Sequence, residues 1–206
     1  MVTTMRRMTM GLAVLCLAGC ATTTFTSTWH APGTAPLNPI GKTVAAVFVT
    51  RDEGKRRAGE DTLAADLTRR GANGVAAYTL IPNDQRGDAE EARAKLKAAG
   101  CNGAVIMRVV GRDQQINYSP GMSMPMYYGG FGPYWGYGWG AVYEPGYLTT
   151  DTIVSVETLV YGLKEDKLLW AGTSRTTNPG KLDDFIREVA EAAAKEMQKQ
   201  GLLAAQ

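Results

Sequence analysis

Three short apolar runs rich in β-branched residues, over 43–50, 74–80 and 103–110, are separated by stretches of helix length and helix pattern. This alternation constrains the chain more than any other feature. A strand, a helix and a second parallel strand make a crossover that is right-handed by default. Two such units follow one another here. TVAAVFVT (43–50) reads as a buried strand. Residues 51–70 are charged, with Ala58, Leu63 and Leu67 as the inner stripe of a helix punctuated by Gly71 and Gly74. The strand over 74–80 closes at Pro82. Asp84 or Asp88 is placed to cap a second helix, in which Ala89, Ala92, Leu96 and Ala99 recur at helical spacing until Gly100. The third strand, over 103–110, has a continuation to Tyr118 open to it.

Beyond a long insertion, residues 149–163 carry Thr, Val, Ile and Tyr throughout and read as a long strand. Residues 164–167 are turn-like, and 168–176 return as the second arm of a hairpin. Leu182, Phe185, Ile186, Val189, Ala190, Ala193 and Met197 form an apolar stripe, so a helix spans 181–200. The order β-α-β-α-β-insertion-β-β-α predicts an α/β fold: a single domain, with a mixed sheet of about five strands and three helices packed on it.

The first twenty residues have a different character. Arg6 and Arg7 precede an apolar stretch from Met8 to Leu17, then small Ala18 and Gly19, then Cys20. A basic start, a short apolar region and a small-residue cleavage site describe a secretory signal, here residues 1–19. The run is too short to span a bilayer as a permanent helix. Leu17-Ala18-Gly19-Cys20 resembles a bacterial lipobox. That resemblance implies cleavage between Gly19 and Cys20, and a diacylglyceryl thioether on Cys20 with further acylation (palmitate-type chains) of its amine. Several acyl chains hold a protein stably on a membrane. Ala at position 21, where Asp implies inner-membrane retention in enteric-type sorting, implies the outer membrane, facing the periplasm.

The charge balance excludes one class of partner. The chain holds 22 Lys and Arg against 20 Asp and Glu, and the two arginines of the signal make up the difference. No basic excess is left for a nucleic-acid surface. Of three cysteines, Cys16 leaves with the signal and Cys20 takes lipid. Cys101 stands alone before an apolar run, which reads as a buried thiol, with an intermolecular disulfide as the alternative. Residues 21–41 contain no charge and are rich in Thr, Ala and Pro. With Cys20 they read as a tether over 20–41, reaching roughly 60 Å if extended, unless Phe25 and Trp29 dock on the domain over 42–206. The only histidine, His30, lies in this tether.

The insertion over 121–147 holds 8 Gly, 9 aromatic residues, 3 Met and 3 Pro, with Glu144 as its one charge. Loops of such length are functional or disordered. Tyr127, Tyr128, Phe131, Tyr134, Trp135, Tyr137 and Trp139 supply a candidate contact surface for an envelope protein, because Tyr and Trp bring large contact area at low entropic cost. Stacking on glycan rings of peptidoglycan or polysaccharide, a membrane-interface contact by Trp135 and Trp139, and a solvated excursion are the alternatives. Met122, Met124 and Met126 alternate, and thioethers suit Cu(I), although Met also serves as plain apolar filler.

Catalytic patterns are missing. A nucleophile–histidine site needs a histidine in a rigid framework, and His30 is on the tether. Ser123 lies in a near match to a nucleophile elbow that lacks its final glycine. Gly136, Gly138 and Ala141 match a dinucleotide spacing without the strand and helix it requires. Glu60 and Asp61, and Asp183 and Asp184, read as solvent-facing helix residues. A hydrolase built on two carboxylates distant in sequence is the one enzymatic route left open. The chain is read as a non-enzyme, with no cofactor apart from the lipid.

The runs TVAAVFVT, LTRRGANGVAAYTLIP, AAGCNGAVIMRVV, YEPGYLTTDTIVSVETLVYG and KLLWAG resemble uncharacterised proteobacterial lipoproteins with a Gly/Tyr-rich insertion before a long strand. The element order is also similar to the TolB amino-terminal domain, the curli secretion lipoprotein and the lipoprotein activator of a penicillin-binding protein. These resemblances imply a domain that docks on envelope components without catalysis. The membrane-hairpin segments of the curli pore have no counterpart here, so no pore is expected.

Overall fold

The computed structural model describes residues 22–85, 87–119 and 147–204. It is a mixed α/β structure: one six-stranded sheet carrying three helices. In chain order the elements are β1 (Thr22–His30), β2 (Thr43–Val49), α1 (Glu53–Arg69), β3 (Asn73–Ala76), α2 (Ala89–Ala98), β4 (Gly103–Ser119), β5 (Tyr147–Gly162), β6 (Lys167–Thr177) and α3 (Leu182–Lys199). The sheet order is β1-β6-β5-β4-β2-β3. β2 is parallel to both β3 and β4, as the two crossovers require, and the other pairs are antiparallel.

Local chemistry explains the helix starts. Asp52 accepts a hydrogen bond from the Lys55 amide at 3.1 Å and Asp88 one from the Glu91 amide at 2.9 Å, each satisfying a donor the helix leaves open. Glu53 at the start of α1 and Arg69 at its end complement the helix dipole. α3 begins without a side-chain cap and is held by its apolar stripe instead. Phe185, Ile186, Val189, Ala190 and Ala193 are all buried.

The sheet is covered on both faces. α1 and α3 lie on one, where Phe48, Leu63, Met107, Val156, Phe185 and Ile186 make the largest core cluster. α2 covers part of the other through Leu96, Ala45, Ala104 and Leu163. Cys101 is buried in this second cluster, and burial pushes its thiol up.

Four expectations need correction. The sheet has six strands because Thr22–His30, read as tether, is an edge strand antiparallel to β6. Its Thr23 hydroxyl bonds that of Thr176 at 2.7 Å, and Phe25 meets the buried Trp170 edge-on, with ring centroids 5.5 Å apart. The strand expected over 74–80 ends at Ala76, and Ala77–Thr79 form a single 3-10 turn. There the Tyr78 amide donates to the Glu60 carboxylate at 2.5 Å rather than to a strand neighbour. On α1, Ala58 is exposed and the buried face runs through Arg56, Gly59, Glu60, Leu63 and Ala64. On α2, Ala89 and Ala99 are exposed, and Leu96 carries the burial.

One glycine shows how closely α1 sits on the sheet. A Cβ at Gly74 would lie 2.1 Å from the Ala64 carbonyl oxygen, and neither backbone can move alone. Gly74→Ala is expected to destabilise by about 3 kcal/mol, at the upper end of overpacking effects, measured by urea denaturation.

Candidate functional site

The β4–β5 hairpin outruns the rest of the sheet. β6 ends where Thr177 faces Ile153, and β1 begins there, with Thr22 facing Thr177. The pairs from Gln114 with Thr152 to Ser119 with Tyr147 continue beyond that line as a two-stranded ribbon. At ~3.3 Å per residue, these steps carry it roughly 20 Å past the sheet. Asp151 holds its root, accepting from Asn117 Nδ2 at 2.6 Å and from Asn178 Nδ2 at 2.7 Å. Asn178 also exchanges hydrogen bonds with the Thr152 backbone, from the left-handed conformation (φ 50°) that Asn tolerates. Farther out, Ile116 and Leu148 are each 69% exposed. They point to the same side, since Leu148 faces Tyr118, two residues from Ile116.

The insertion enters the sequence between the two arms of this ribbon. Tyr127, Tyr128, Phe131, Tyr134, Trp135, Tyr137 and Trp139 lie outside the described residues, as do Met122, Met124 and Met126 and the cleavage and lipidation positions Gly19 and Cys20. His30 is exposed on β1. Among the described residues no cluster of His, Cys, Asp and Glu could hold a metal ion, and no helix is long and apolar enough to cross a membrane.

A buried ion pair lies under the start of α1. Glu60, expected to face solvent, is fully buried, and Arg56 is 5% exposed. Glu60 Oε1 accepts from Arg56 Nε at 3.1 Å and from the Phe48 amide at 3.4 Å, and Oε2 accepts from Tyr78. Arg56 Nη2 donates to the Ile81 carbonyl at 3.0 Å. Burial pushes the Glu60 carboxyl above its ordinary range, against the pull of the backbone amide of Tyr78 and of Arg56. Both carboxylate oxygens of Glu60 and two guanidinium nitrogens of Arg56 are engaged with this framework, so the pair clamps α1 to β2 and to the 77–81 segment. Asp61, Asp183 and Asp184 are exposed, as expected.

A cavity of about 200 Å³ lies between α1, α3 and the sheet. It exists because α3 turns Ala190, Ala193 and Ala194 toward a space that larger side chains would fill. Leu63, Leu67, Val105, Met107 and Val160 are among its apolar walls, and Thr158 is its one fully buried hydroxyl. Exposed Asn38, Lys42 and Asn102 stand at its outer end. Alanines at core spacing look like ordinary filling in a sequence. Their clustering on one turn of α3, opposite another helix, was the only signal available.

These elements define a mixed α/β domain with a projecting ribbon and a cavity between α1, α3 and the sheet. No family description and no curated protein matches the chain. Among solved structures it is similar to the PelC dodecamer from Paraburkholderia phytofirmans, at 13% identity and TM-score 0.46, over 91% of this chain and 100% of that one. It is also similar to the lipoprotein GNA1162 from Neisseria meningitidis, at 13% identity and TM-score 0.41, over 77% of this chain and 99% of that one. At such scores neither likeness says what this chain does.

Proposed function

We propose that the chain is a lipid-anchored lipoprotein of the outer membrane, facing the periplasm. In this reading it acts without catalysis, as an interaction module for envelope components. The observation that carries this reading is the ribbon's direction. It leaves the sheet at the end where β1 begins, and Cys20 precedes β1 by a single residue, Ala21. Two Cα steps span about 7 Å, against roughly 20 Å of ribbon. An anchor at Cys20 would therefore hold the base of the ribbon beside the membrane, not at the end of a long tether. Large aromatic residues with little charge suit a contact surface in that position.

Photo-crosslinking in intact envelopes tests the reading, with a reactive analogue at Trp135 and a control at exposed Lys195. One protein adduct specific to position 135 is expected. Deleting residues 121–142 is expected to leave the circular dichroism spectrum and melting temperature of the domain nearly unchanged and to abolish that capture. Capture that survives the deletion would overturn the assignment.

A further inference from the structure

The free edges of the sheet and of its ribbon are not alike. An unpaired edge presents a row of backbone N–H and C=O groups that a further strand can join, so folds commonly shorten, bulge or cover their edges. β3 is only four residues long, and β1 carries a bulge between Phe25 and Ser27. The β5 edge of the ribbon is tied at its root, where Asn178 exchanges hydrogen bonds with the Thr152 backbone. The β4 edge has no such device. β2 stops pairing with β4 where Val49 faces Arg108, and from Gly111 to Ser119 β4 has no strand neighbour on that side among the described residues. Its ladder to β5 runs through those nine residues without a register shift, so the edge is regular. It contains no Pro and no Lys, and its two charges, Arg112 and Asp113, sit near the root. The ribbon itself is only two strands wide. Such a hairpin is marginal in water, whereas three or more strands sharing an apolar face are stable.

We propose that the β4 edge pairs antiparallel with the β4 edge of a second copy of this chain, so that two ribbons become one four-stranded sheet. The two-fold axis of such a pair stands perpendicular to the sheet, and the same patch on both copies makes a contact that closes on itself. The axis brings the exposed Ile116 and Leu148 of both copies onto one face, which supplies the shared apolar side that a lone hairpin lacks. Charge restricts the register, because one residue of the edge faces its own copy across the axis. Centred on Arg112 or on Asp113, the pairing sets like charges directly opposite, which is destabilising. Centred on Gln114, it sets Arg112 opposite Ile116 and Asp113 opposite Gln115. Centred on Gln115, it sets Asp113 opposite Asn117 and Gln114 opposite Ile116. Neither of these opposes like charges. The lane beside β4 is open for both, since β2 of each copy ends before Gly111 is reached. The pairing uses no residue of 121–142, so it stands or falls separately from capture at Trp135.

The test uses the chain without residues 1–19 and with Cys20→Ser, which keeps every strand and helix of the fold. A concentration-dependent dimer is expected in analytical ultracentrifugation, and it is expected to persist when residues 121–142 are deleted. Directly opposite residues of an antiparallel pair have Cα atoms about 4.5–5.5 Å apart, within disulfide reach. Under mild oxidation, Gln114→Cys or Gln115→Cys, whichever is the centre, is expected to give a disulfide-linked dimer. Arg175→Cys, equally exposed on β6, is expected to give none, and the native Cys101 is buried. Gln114→Pro and Gln115→Pro test the backbone itself. Neighbouring N–H groups point to opposite edges of a strand, so one of the two variants removes an outward donor alone. That variant is expected to lose the dimer and keep its circular dichroism spectrum. A monomer at every concentration would overturn the proposal, as would a dimer that a cysteine at neither 114 nor 115 can link. A dimer that forms only after the deletion would overturn it too, because the insertion would then be the strand that occupies the edge.

Discussion

Arg56→Met is expected to lower stability by about 3–5 kcal/mol at neutral pH, because it leaves Glu60 as a buried charge without its partner. The wild-type pair is already a compromise. Burial holds the Glu60 carboxyl above its ordinary value of 4.5, so its proton is bound more tightly in the folded state than in the unfolded one. Linkage then fixes the sign. The stabilising effect of that proton is complete below about pH 4.5 and is lost as pH rises through the higher folded value. Methionine removes the attraction that pulls this value down, so the folded value moves farther up. The deficit of the variant should therefore shrink as the pH is lowered toward 4 and be largest above 7. Urea denaturation across that range measures it, and a deficit independent of pH would show that the arginine acts through packing alone. Replacing both partners, Arg56→Met with Glu60→Leu, should recover most of the loss, since the charge leaves together with its partner. Part will remain, because the Phe48 and Tyr78 amides and the Ile81 carbonyl lose the partners they have now.

Trp170→Ala is expected to cost about 3–5 kcal/mol as a large-to-small change at a fully buried site. Its location makes the effect specific. The indole packs with Ala193 and Leu202, meets Phe25 edge-on, and donates from Nε1 to Gln200 Oε1 at 3.0 Å. Gln200 in turn donates to the Thr28 hydroxyl at 2.8 Å. β1 thus depends on Trp170 for its packing and for one of its side-chain hydrogen bonds, while its outer edge has no strand neighbour among the described residues. Amide exchange over 22–30 should accelerate in the variant well beyond that over β2 and β4. Uniform acceleration would mean that β1 opens only with global unfolding. If β1 does detach and the chain is anchored at Cys20 as proposed, the segment after Cys20 becomes the long leash that its composition suggests, and the ribbon is no longer held beside that anchor. Crosslinks from Trp135 in the Trp170→Ala background would then spread over several partners.

The parts of the fold legible in the sequence are those that local pattern controls. The order of strands and helices, the two parallel crossovers and the late hairpin follow from runs such as 43–50 and 149–163 and from the stripe through Phe185, Ile186 and Val189. Each is read within a window of a few turns, because side-chain period and burial are tied within one element. The cap at Asp88, one of the two offered for the second helix, is local in the same sense. The buried thiol at Cys101 was also legible, from the apolar run that follows it.

What the sequence could not decide depends on distant partners. β1 carries five threonines in nine residues and no apolar alternation, and it is a strand because Thr22 finds Thr177 and Phe25 finds Trp170. Glu60 sits in a charged helix, where exposure is the ordinary expectation. It is buried because Arg56, Phe48 and Tyr78 converge on it from three segments. The ribbon's reach and direction come from β6 stopping opposite Ile153 while β4 and β5 continue. The cavity arises only when the alanine face of α3 is set against α1. The sequence by itself determined the three helices and the strands that begin at 43, 103, 147 and 167 to within a few residues, because periodicity and capping are properties of neighbours along the chain. Only the tertiary structure decided which edge captures the segment after Cys20, which charge is enclosed and where space is left, because those depend on surfaces that meet after the chain has folded.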